Sequence, residues 1–321
     1  MIFLFDPGVS STNLGDLIIS EGVRREIAHL FPHDRLVVAS THTYLSAEVR
    51  KVAVRSRQVL VGGSNLLSPE MLRYRSWKLG PMDVLALRNQ VLLGTGWGKY
   101  MDKPDALSRR VLRAVLSDTA VHAVRSDYTR LQLANLGIHN VVNTGCPTLW
   151  TLTPSFCAEI PATKAAAAVF TLTDYDSEPD LDRVLVETVC AAYDEVYFWP
   201  QGVRDREYLE SLDLDLSRVG RVDPSLQAYD DLLAAGGCDY VGTRLHGGIR
   251  ALQHGLRTII VSIDNRAVEM ARDFCLQVVH RQDLRQRLAR EIENPQPCQV
   301  RIDAEAIETF RNQFRRTDAS A

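Results

Sequence analysis

Short apolar runs alternate with amphipathic stretches almost from the first residue. Ile2–Phe5 is apolar, and a Gly/Ser/Asn loop follows it. Leu17–Leu30 then places Leu17, Ile18, Val23, Ile27 and Leu30 near helical spacing, with Arg24, Arg25 and Glu26 free to face water. Leu36–Ala39, Val59–Val61, Val91–Leu93, Val121–Val124 and Val141–Asn143 continue as strands, with Asp105–Leu116 and Ser126–Leu136 as helices between them. A second round starts at Ala166–Thr171. It runs through a helix at Leu181–Tyr193, a strand at Glu195–Trp199, and helices at Arg204–Leu212 and Asp223–Ala235. A strand at Asp239–Gly242, a helix at Leu245–Gly255 and a strand at Arg257–Ser262 close that round. Strands alternating with helices predict an α/β fold with parallel sheets covered on both faces.

The stretch Pro147–Lys164 holds three prolines and several Ser/Thr residues, and the domain boundary is placed there. The expected division is an N-terminal domain over 1–150, a linker over 151–164 and a C-terminal domain over 165–300. Within the last segment, 301–321, Ile302–Phe314 reads as a terminal helix. Two arrangements are open to it: completing the second domain or crossing back onto the first.

A length of 321 residues fits two domains, and 45 % hydrophobic residues supply real cores. With 37 basic and 40 acidic side chains the net charge is −3, which gives no overall field toward nucleic acid. The opening MIFLFDPG lacks a basic leader, and no apolar stretch reaches membrane-spanning length. A cytoplasmic location is therefore expected, with the surface of a membrane-bound substrate still open as a workplace. The six cysteines contain no Cys-x-x-Cys pair and read mostly as small buried hydrophobes. No His-Glu-x-x-His or other compact zinc pattern occurs, so no metal is expected.

Candidate chemistry gathers in loops that follow strands. Asn13-Leu14-Gly15-Asp16 enters the first helix; Gly15 would permit close backbone approach, and Asn13 or Asp16 could hold hydroxyls. An N-cap and tight turn explain the same residues. Gly62-Gly63-Ser64-Asn65 and Gly94-Thr95-Gly96-Trp97-Gly98 are two further loops where backbone could meet a ligand. Ordinary turns also need such glycines. Trp97 could offer its ring face to a sugar or sit in the core. Arg125-Ser126-Asp127 follows an apolar strand, so Ser126 can cap a helix and leave Arg125 to grip a carboxylate or phosphate. A surface arginine paired with Asp127 or Asp118 is the alternative. The densest cluster is Gly242-Thr243-Arg244-Leu245-His246-Gly247-Gly248, between a strand and an apolar helix. Arg244 brings fixed charge, His246 a proton near neutral pH, and Gly247 and Gly248 a close backbone. His29, His33, His122, His139 and His280 show no partners in sequence, and Arg281–Arg290 reads as a solvated helix face rather than a nucleic-acid patch.

At these residues the chain resembles the polysaccharide pyruvyl transferase family, over about Ile2 to Leu276. Asn13-x-Gly15-Asp16, Gly62-Gly63, Arg125-Ser126-Asp127, Gly145-Cys146-Pro147 and Arg244-Leu245-His246-Gly247 carry the resemblance. It implies two Rossmann-like lobes in a GT-B-like arrangement. It also implies transfer of a pyruvate ketal from phosphoenolpyruvate to two hydroxyls of a sugar, with release of phosphate. By that resemblance Arg125 and Arg244 clamp the donor between the lobes, and His246 acts as the acid. Phosphoenolpyruvate is the donor substrate and no cofactor is required; the acceptor is a glycan or lipid-linked sugar. A homo-oligomer is compatible with all of this. The chain departs from the family's pattern in lacking a longer glycine run after Gly63, and Cys146 stands where an acidic residue is frequent. Two other functions share these sequence features: a nucleotide-sugar glycosyltransferase, and a non-catalytic glycan-binding protein.

Overall fold

The structure, a computed structural model, describes residues 1–315 except 72, 75, 99 and 101–103. Residues 316–321 of the expected terminal segment lie outside the described residues. The chain divides into two compact units, each described by itself. The first comprises Met1–Ser11, Ile19–Trp150 and the segment from Ile302 onward; the second comprises Thr12–Ile18 and Thr151–Arg301. The loop of Asn13, Gly15 and Asp16 is therefore grouped with the second unit, although it follows the first strand of the chain.

The first unit is built on a parallel sheet of six strands. These are β1 (Ile2–Asp6), β2 (Leu36–Ser40), β3 (Gln58–Gly62), β4 (Val91–Thr95), β5 (His122–Val124) and β6 (Val141–Asn143), in the order β2-β1-β3-β4-β5-β6. Every residue of β1 is buried, as expected for a strand with helices over both faces. Its last residue, Asp6, is buried too. Its carboxylate accepts from Ser20 Oγ (2.9 Å), Arg24 Nε (2.7 Å) and the Gly8 N–H (2.8 Å). The helices include α1 (Leu14–Leu30) from Ile19 onward, α2 (Ala47–Val54), α3 (Pro81–Ala86), α4 (Ala106–Val115) and α5 (Asp127–Asn135).

The terminal helix α13 (Ala304–Arg315) belongs to this unit. Phe310 and Phe314 bring aromatic edges against Trp150 and Phe31, and both nitrogens of an Arg311 fork reach Glu26 at 2.7 Å. Gln313 pairs with the backbone of Val121 in both directions.

The second unit has its own parallel sheet. Its strands are β7 (Ala167–Thr171), β8 (Glu195–Phe198), β9 (Val219–Arg221), β10 (Cys238–Gly242), β11 (Thr258–Ser262) and β12 (Val278–His280), in the order β12-β11-β10-β7-β8-β9. Progress along the chain runs one way from β7 and then restarts on its other side at β10, which is the doubly wound plan with a switch point between β7 and β10. Helices α6 (Pro154–Glu159), α7 (Pro179–Ala192), α8 (Asp205–Glu210), α9 (Leu226–Ala235), α10 (Leu245–Gln253), α11 (Asn265–Phe274) and α12 (Leu284–Glu293) surround it. α6 falls inside the expected linker. α12 buries Leu284, Leu288 and Ile292, so the basic stretch read from Arg281 is a helix with one core face.

His122 is a core histidine and not an isolated one. Its Nδ1 accepts from the Leu92 N–H at 3.2 Å and its Nε2 meets the Ser117 carbonyl at 2.8 Å, a pair that only the neutral Nε2–H form satisfies. Burial pushes its pKa down to about 4, against a weaker upward pull from Ser117. The unfolded chain therefore takes up this proton first as pH falls. The contribution to stability is complete above pH 6.5 and is lost toward about pH 4, amounting to about 3 kcal/mol as an upper bound. Proton-detected titration of the His122 ring should find it neutral at pH 5 in the folded protein; a midpoint near 6.5 would contradict this environment.

Candidate functional site

At the switch point of the second unit, the loops leaving β7 and β10 are stitched together. The Thr243 N–H donates to Thr171 O (3.1 Å), and the Thr173 and Thr243 hydroxyls meet at 2.8 Å. A Cβ on Gly242 would lie 2.4 Å from Thr171 Oγ1, so only glycine lets the two strands close here. Loops that part from adjacent strands in opposite directions leave a crevice, the usual ligand position in such sheets.

α10 begins at that point. Arg244 is its N-cap residue, and its own side chain does not cap the helix. Leu245, Ile249 and Leu252 turn toward the core. A Cβ on Gly248 would approach Ile260 to 2.7 Å, so the first turn is pressed onto the sheet. Tyr240 OH donates to Arg244 O (2.7 Å) and Tyr229 OH to Gly247 O (2.9 Å), which fixes that turn from below. Tyr229 is itself stacked on Trp199, with ring centroids 3.8 Å apart. The N–H groups of a first turn carry partial positive charge, so this is a rigid end suited to an anion. His246 lies in the same turn, 4 % exposed and engaged by neighbours within the structure.

Arg244 is neither a surface residue nor an unpaired charge. It is 3 % exposed, and its Nε donates to Leu172 O and to Asp205 Oδ2, both at 3.0 Å. Its Nη2 reaches Asp174 Oδ1 at 3.1 Å and also bonds Asp205 Oδ1. Two carboxylates from the same unit balance the guanidinium, which is held as a fixed fork. Asp205 is fully buried, and its oxygens also accept from the N–H groups of Gly202 (2.7 Å) and Asp174 (3.2 Å). Burial raises its pKa above the usual carboxylate value, while Arg244 and then those N–H groups pull it down. Tyr175, half exposed, lies under the guanidinium at 4.9 Å from its ring centroid, and its OH accepts from Arg266 Nη2. A Cβ on Gly202 would meet Arg244 Nη2 at 2.3 Å, so this glycine is required by the arginine's position.

The Asn13 loop joins the same cluster through a residue the sequence did not single out, Gln201. Gln201 Nε2 donates to Asn13 Oδ1 (2.8 Å), the Leu14 N–H to Gln201 O (3.0 Å) and the Gly15 N–H to Asn13 Oδ1 (3.0 Å). A Cβ on Gly15 would stand 2.6 Å from Gln201 Nε2, and one on Gly247 would stand 3.2 Å from Gln201 Oε1. Gln201 is 4 % exposed, and its Oε1 is buried without a hydrogen bond. Asn13 thus serves as a turn-former locked to Gln201, while Asp16 is 9 % exposed in the first turn of α1. The loop after an apolar strand, Trp199-Pro200-Gln201-Gly202, carried the same cue used elsewhere and could have been selected by it.

In the first unit the ends of β3, β4 and β5 bring Asn65, Gly96 and Arg125 together. Arg125 is 3 % exposed and donates through Nη2 to Asn65 Oδ1. A Cβ on Gly96 would stand 2.2 Å from Arg125 Nε, so Gly96 opens the slot that the guanidinium fills. Ser126 caps α5 by accepting from the Thr129 N–H at 3.2 Å, and Asp127 pairs with Arg130. Arg125 also acts electrostatically on Cys146, whose thiol is raised mainly by burial.

Three glycines expected to approach a ligand instead approach protein. Cβ atoms on Gly62 and Gly63 would strike Val23 (2.8 Å) and Ile19 (2.0 Å) of α1, and one on Gly94 would strike Pro147 at 2.2 Å. Ser64 takes the left-handed region, with φ 54°, and its carbonyl accepts from the Gly96 N–H at 2.8 Å. These residues brace the loops. Trp97 is likewise corrected: it is 2 % exposed within the core, so no ring face remains for a sugar. The remaining histidines are accounted for structurally where partners are seen. His42 meets Pro7 O (3.0 Å), His254 meets Asp230 (3.3 Å) and His280 meets Ser262 Oγ (3.1 Å).

An Arg-x-His pair thus stands at the switch point of a doubly wound parallel sheet, the usual ligand position in such folds. Residues 13–265 match the family described as polysaccharide pyruvyl transferase, and the chain belongs to that family. None of the curated proteins matches it. Among solved structures it is similar to the E. coli heptosyltransferase WaaC with ADP-2-deoxy-2-fluoro heptose. That similarity has 13 % identity and TM-score 0.37, covering 81 % of this chain and 88 % of that one. It is also similar to LpCGTa in complex with UDP, at 10 % identity and TM-score 0.42, covering 99 % and 98 %. Among the described residues no helix is long and apolar enough to cross a membrane.

Removing one member of a buried charge pair strands the other. Asp205→Ala should lower the unfolding free energy by about 3–5 kcal/mol in urea titrations, with Asp205→Asn losing less because it keeps an acceptor. An alanine variant as stable as the parent would mean that Arg244 does not depend on this carboxylate.

Proposed function

We propose that the chain transfers a carboxyethylidene group from phosphoenolpyruvate to two hydroxyls of a sugar, releasing phosphate. Family membership sets the class of chemistry. The observation that carries the proposal to particular residues is the first turn of α10 at the switch point, with Arg244 held at its mouth and His246 inside it.

Phosphoenolpyruvate brings a phosphate and a carboxylate. One anionic group lies against the N–H groups of Leu245–Gly247, where the helix end favours negative charge. Arg244, braced by Asp205, orients the donor without needing to move, and its fixed fork suits a planar or tetrahedral oxyanion. Because Asp205 and Asp174 already balance that charge, donor affinity draws on the helix end and on hydrogen bonding more than on net positive potential. His246 donates a proton to the donor's methylene carbon, which becomes a methyl group. Positive character then develops at the central carbon, and the first sugar hydroxyl attacks it. Departure of phosphate and attack by the second hydroxyl close the ketal. The two hydroxyl protons balance the one gained by the methyl group and the one carried away with phosphate. The donor supplies the reacting carbons, so no further cofactor is called for. Arg125, Asn65 and Gly96 are proposed as a ligand-facing group of the first unit, and Asp16 as a candidate base for the acceptor. The acceptor is a glycan or a lipid-linked sugar.

The purified chain, given phosphoenolpyruvate and a panel of glycans, should release phosphate in step with a carboxyethylidene mass gain on one acceptor. Phosphate release that requires no glycan, or transfer from a nucleotide sugar with nucleotide release, would overturn the proposal. His246→Asn should lower kcat by about 10²–10⁴-fold with an unchanged melting midpoint, the range expected for loss of a general acid. Full turnover by that variant would remove His246 from the proton transfer. Arg244→Lys keeps a charge beside Asp205 but loses the fork, so KM for phosphoenolpyruvate should rise about tenfold, equivalent to about 1.4 kcal/mol. An unchanged KM would contradict donor contact.

A further inference from the structure

α6 carries Cys157, which is 3 % exposed. The chain after α6 runs against the stretch that precedes Ile302. The Gln296 N–H donates to Ala162 O at 2.8 Å, and Ile160, Pro161 and Cys298 share the wall of one small cavity of about 20 Å³. In this corner Cys298 is the neighbouring group that, after burial, acts on the Cys157 thiol, and both are free thiols. A disulfide needs the sulfurs about 2 Å apart, so joining them requires a local adjustment. Both supports allow one: α6 has six residues, and Cys298 lies in a stretch without regular secondary structure.

We propose that Cys157 and Cys298 form a dithiol site that reduces a low-molecular-weight disulfide and becomes a protein disulfide in return. Cys298 is partly exposed, whereas Cys157 is buried, so Cys298 meets the oxidant first. Burial, reinforced by the neighbouring Cys298, pushes the Cys157 thiol up to about 12, which suits it to the second step rather than the first. Cys298 gives its proton to solvent and attacks one sulfur of the small disulfide. That S–S bond breaks, and one thiolate leaves and is protonated. Cys157 then loses its proton and attacks Cys298 Sγ in the mixed disulfide, and the second small thiolate leaves and is protonated. Two protein thiols are oxidised to one disulfide, and one small disulfide is reduced to two thiols.

The position of the bond gives it a consequence. Cys157 lies shortly after Trp150 and Cys298 shortly before Ile302, the two ends of the long segment Thr151–Arg301 of the second unit. A bond there ties the outgoing and returning segments of the second unit to each other and closes nearly the whole of that unit into one loop. Such a closure restricts the unfolded chain and raises the melting midpoint.

The test is oxidation of the full-length folded protein with glutathione disulfide, followed by proteolysis and mass spectrometry without reductant. The expected result is a Cys157–Cys298 cross-linked peptide, a raised melting midpoint, and reversal of both by dithiothreitol. Cys157→Ser should stop at a glutathione adduct on Cys298 and show no rise in the midpoint. A persistent adduct on Cys298 in the unmutated protein would overturn the proposal. So would cross-links through the exposed Cys275 in place of Cys157, or unreacted Cys157 and Cys298 after Cys275 has reacted.

Discussion

The second unit is organised around one buried arginine. Arg244 sits where β10 gives way to α10, and it is tolerated there only because Asp205 and Asp174 accept its charge and Leu172 O accepts another of its protons. Isolated charge in such surroundings costs several kcal/mol, so the loops that deliver these acceptors cannot drift. Gly202 has no side chain because the guanidinium occupies its space, and Gly242 has none because Thr171 does. The Asn13 turn, locked through Gln201 to the neighbouring loop, extends the same brace. The charge pair, the glycines and the amide lock are one constraint, and together they hold the first turn of α10 in place.

That constraint changes what the arginine contributes to chemistry. A guanidinium already paired twice is a poor long-range attractor of anions but a well-oriented donor. Preorganised donors cost little to arrange when charge develops during reaction. In the proposed reaction the helix end supplies the attraction and Arg244 supplies direction. In the first unit Arg125 is set in a comparable way, by Asn65 and by the slot that Gly96 leaves open, although the turn beside it carries the Cys146 thiol.

Much of the fold was legible because parallel strands buried on both faces are continuous apolar runs, and Ile2–Phe5, Ala166–Thr171 and Thr258–Ser262 are of that kind. Short or weakly periodic pieces were not: α3 is six residues, and β12 is three. α11 buries Ala267, Met270 and Phe274 among charged neighbours, a pattern that does not stand out from its surroundings. In the candidate site, Arg244 and His246 stand out in the sequence because polar residues interrupt an apolar strand and helix at one place. Their partners do not. Asp205, Asp174 and Gln201 are single residues in distant loops, and nothing local distinguishes a carboxylate that neutralises a buried arginine from one that faces water. Glycine misled for a physical reason: the freedom that lets backbone approach a ligand equally lets it approach Ile19, Val23 or Pro147. Trp97 shows the same ambiguity, resolved in favour of the core.

The central claim is that the first turn of α10 and the braced Arg244 hold the donor. The most direct measurement is a crystal structure of the protein with bound phosphoenolpyruvate. The account predicts a donor oxyanion within hydrogen-bond distance of the N–H groups of Leu245–Gly247, with Arg244 still paired to Asp205. Donor density remote from α10, or an Arg244 that abandons Asp205 to reach the donor, would contradict it.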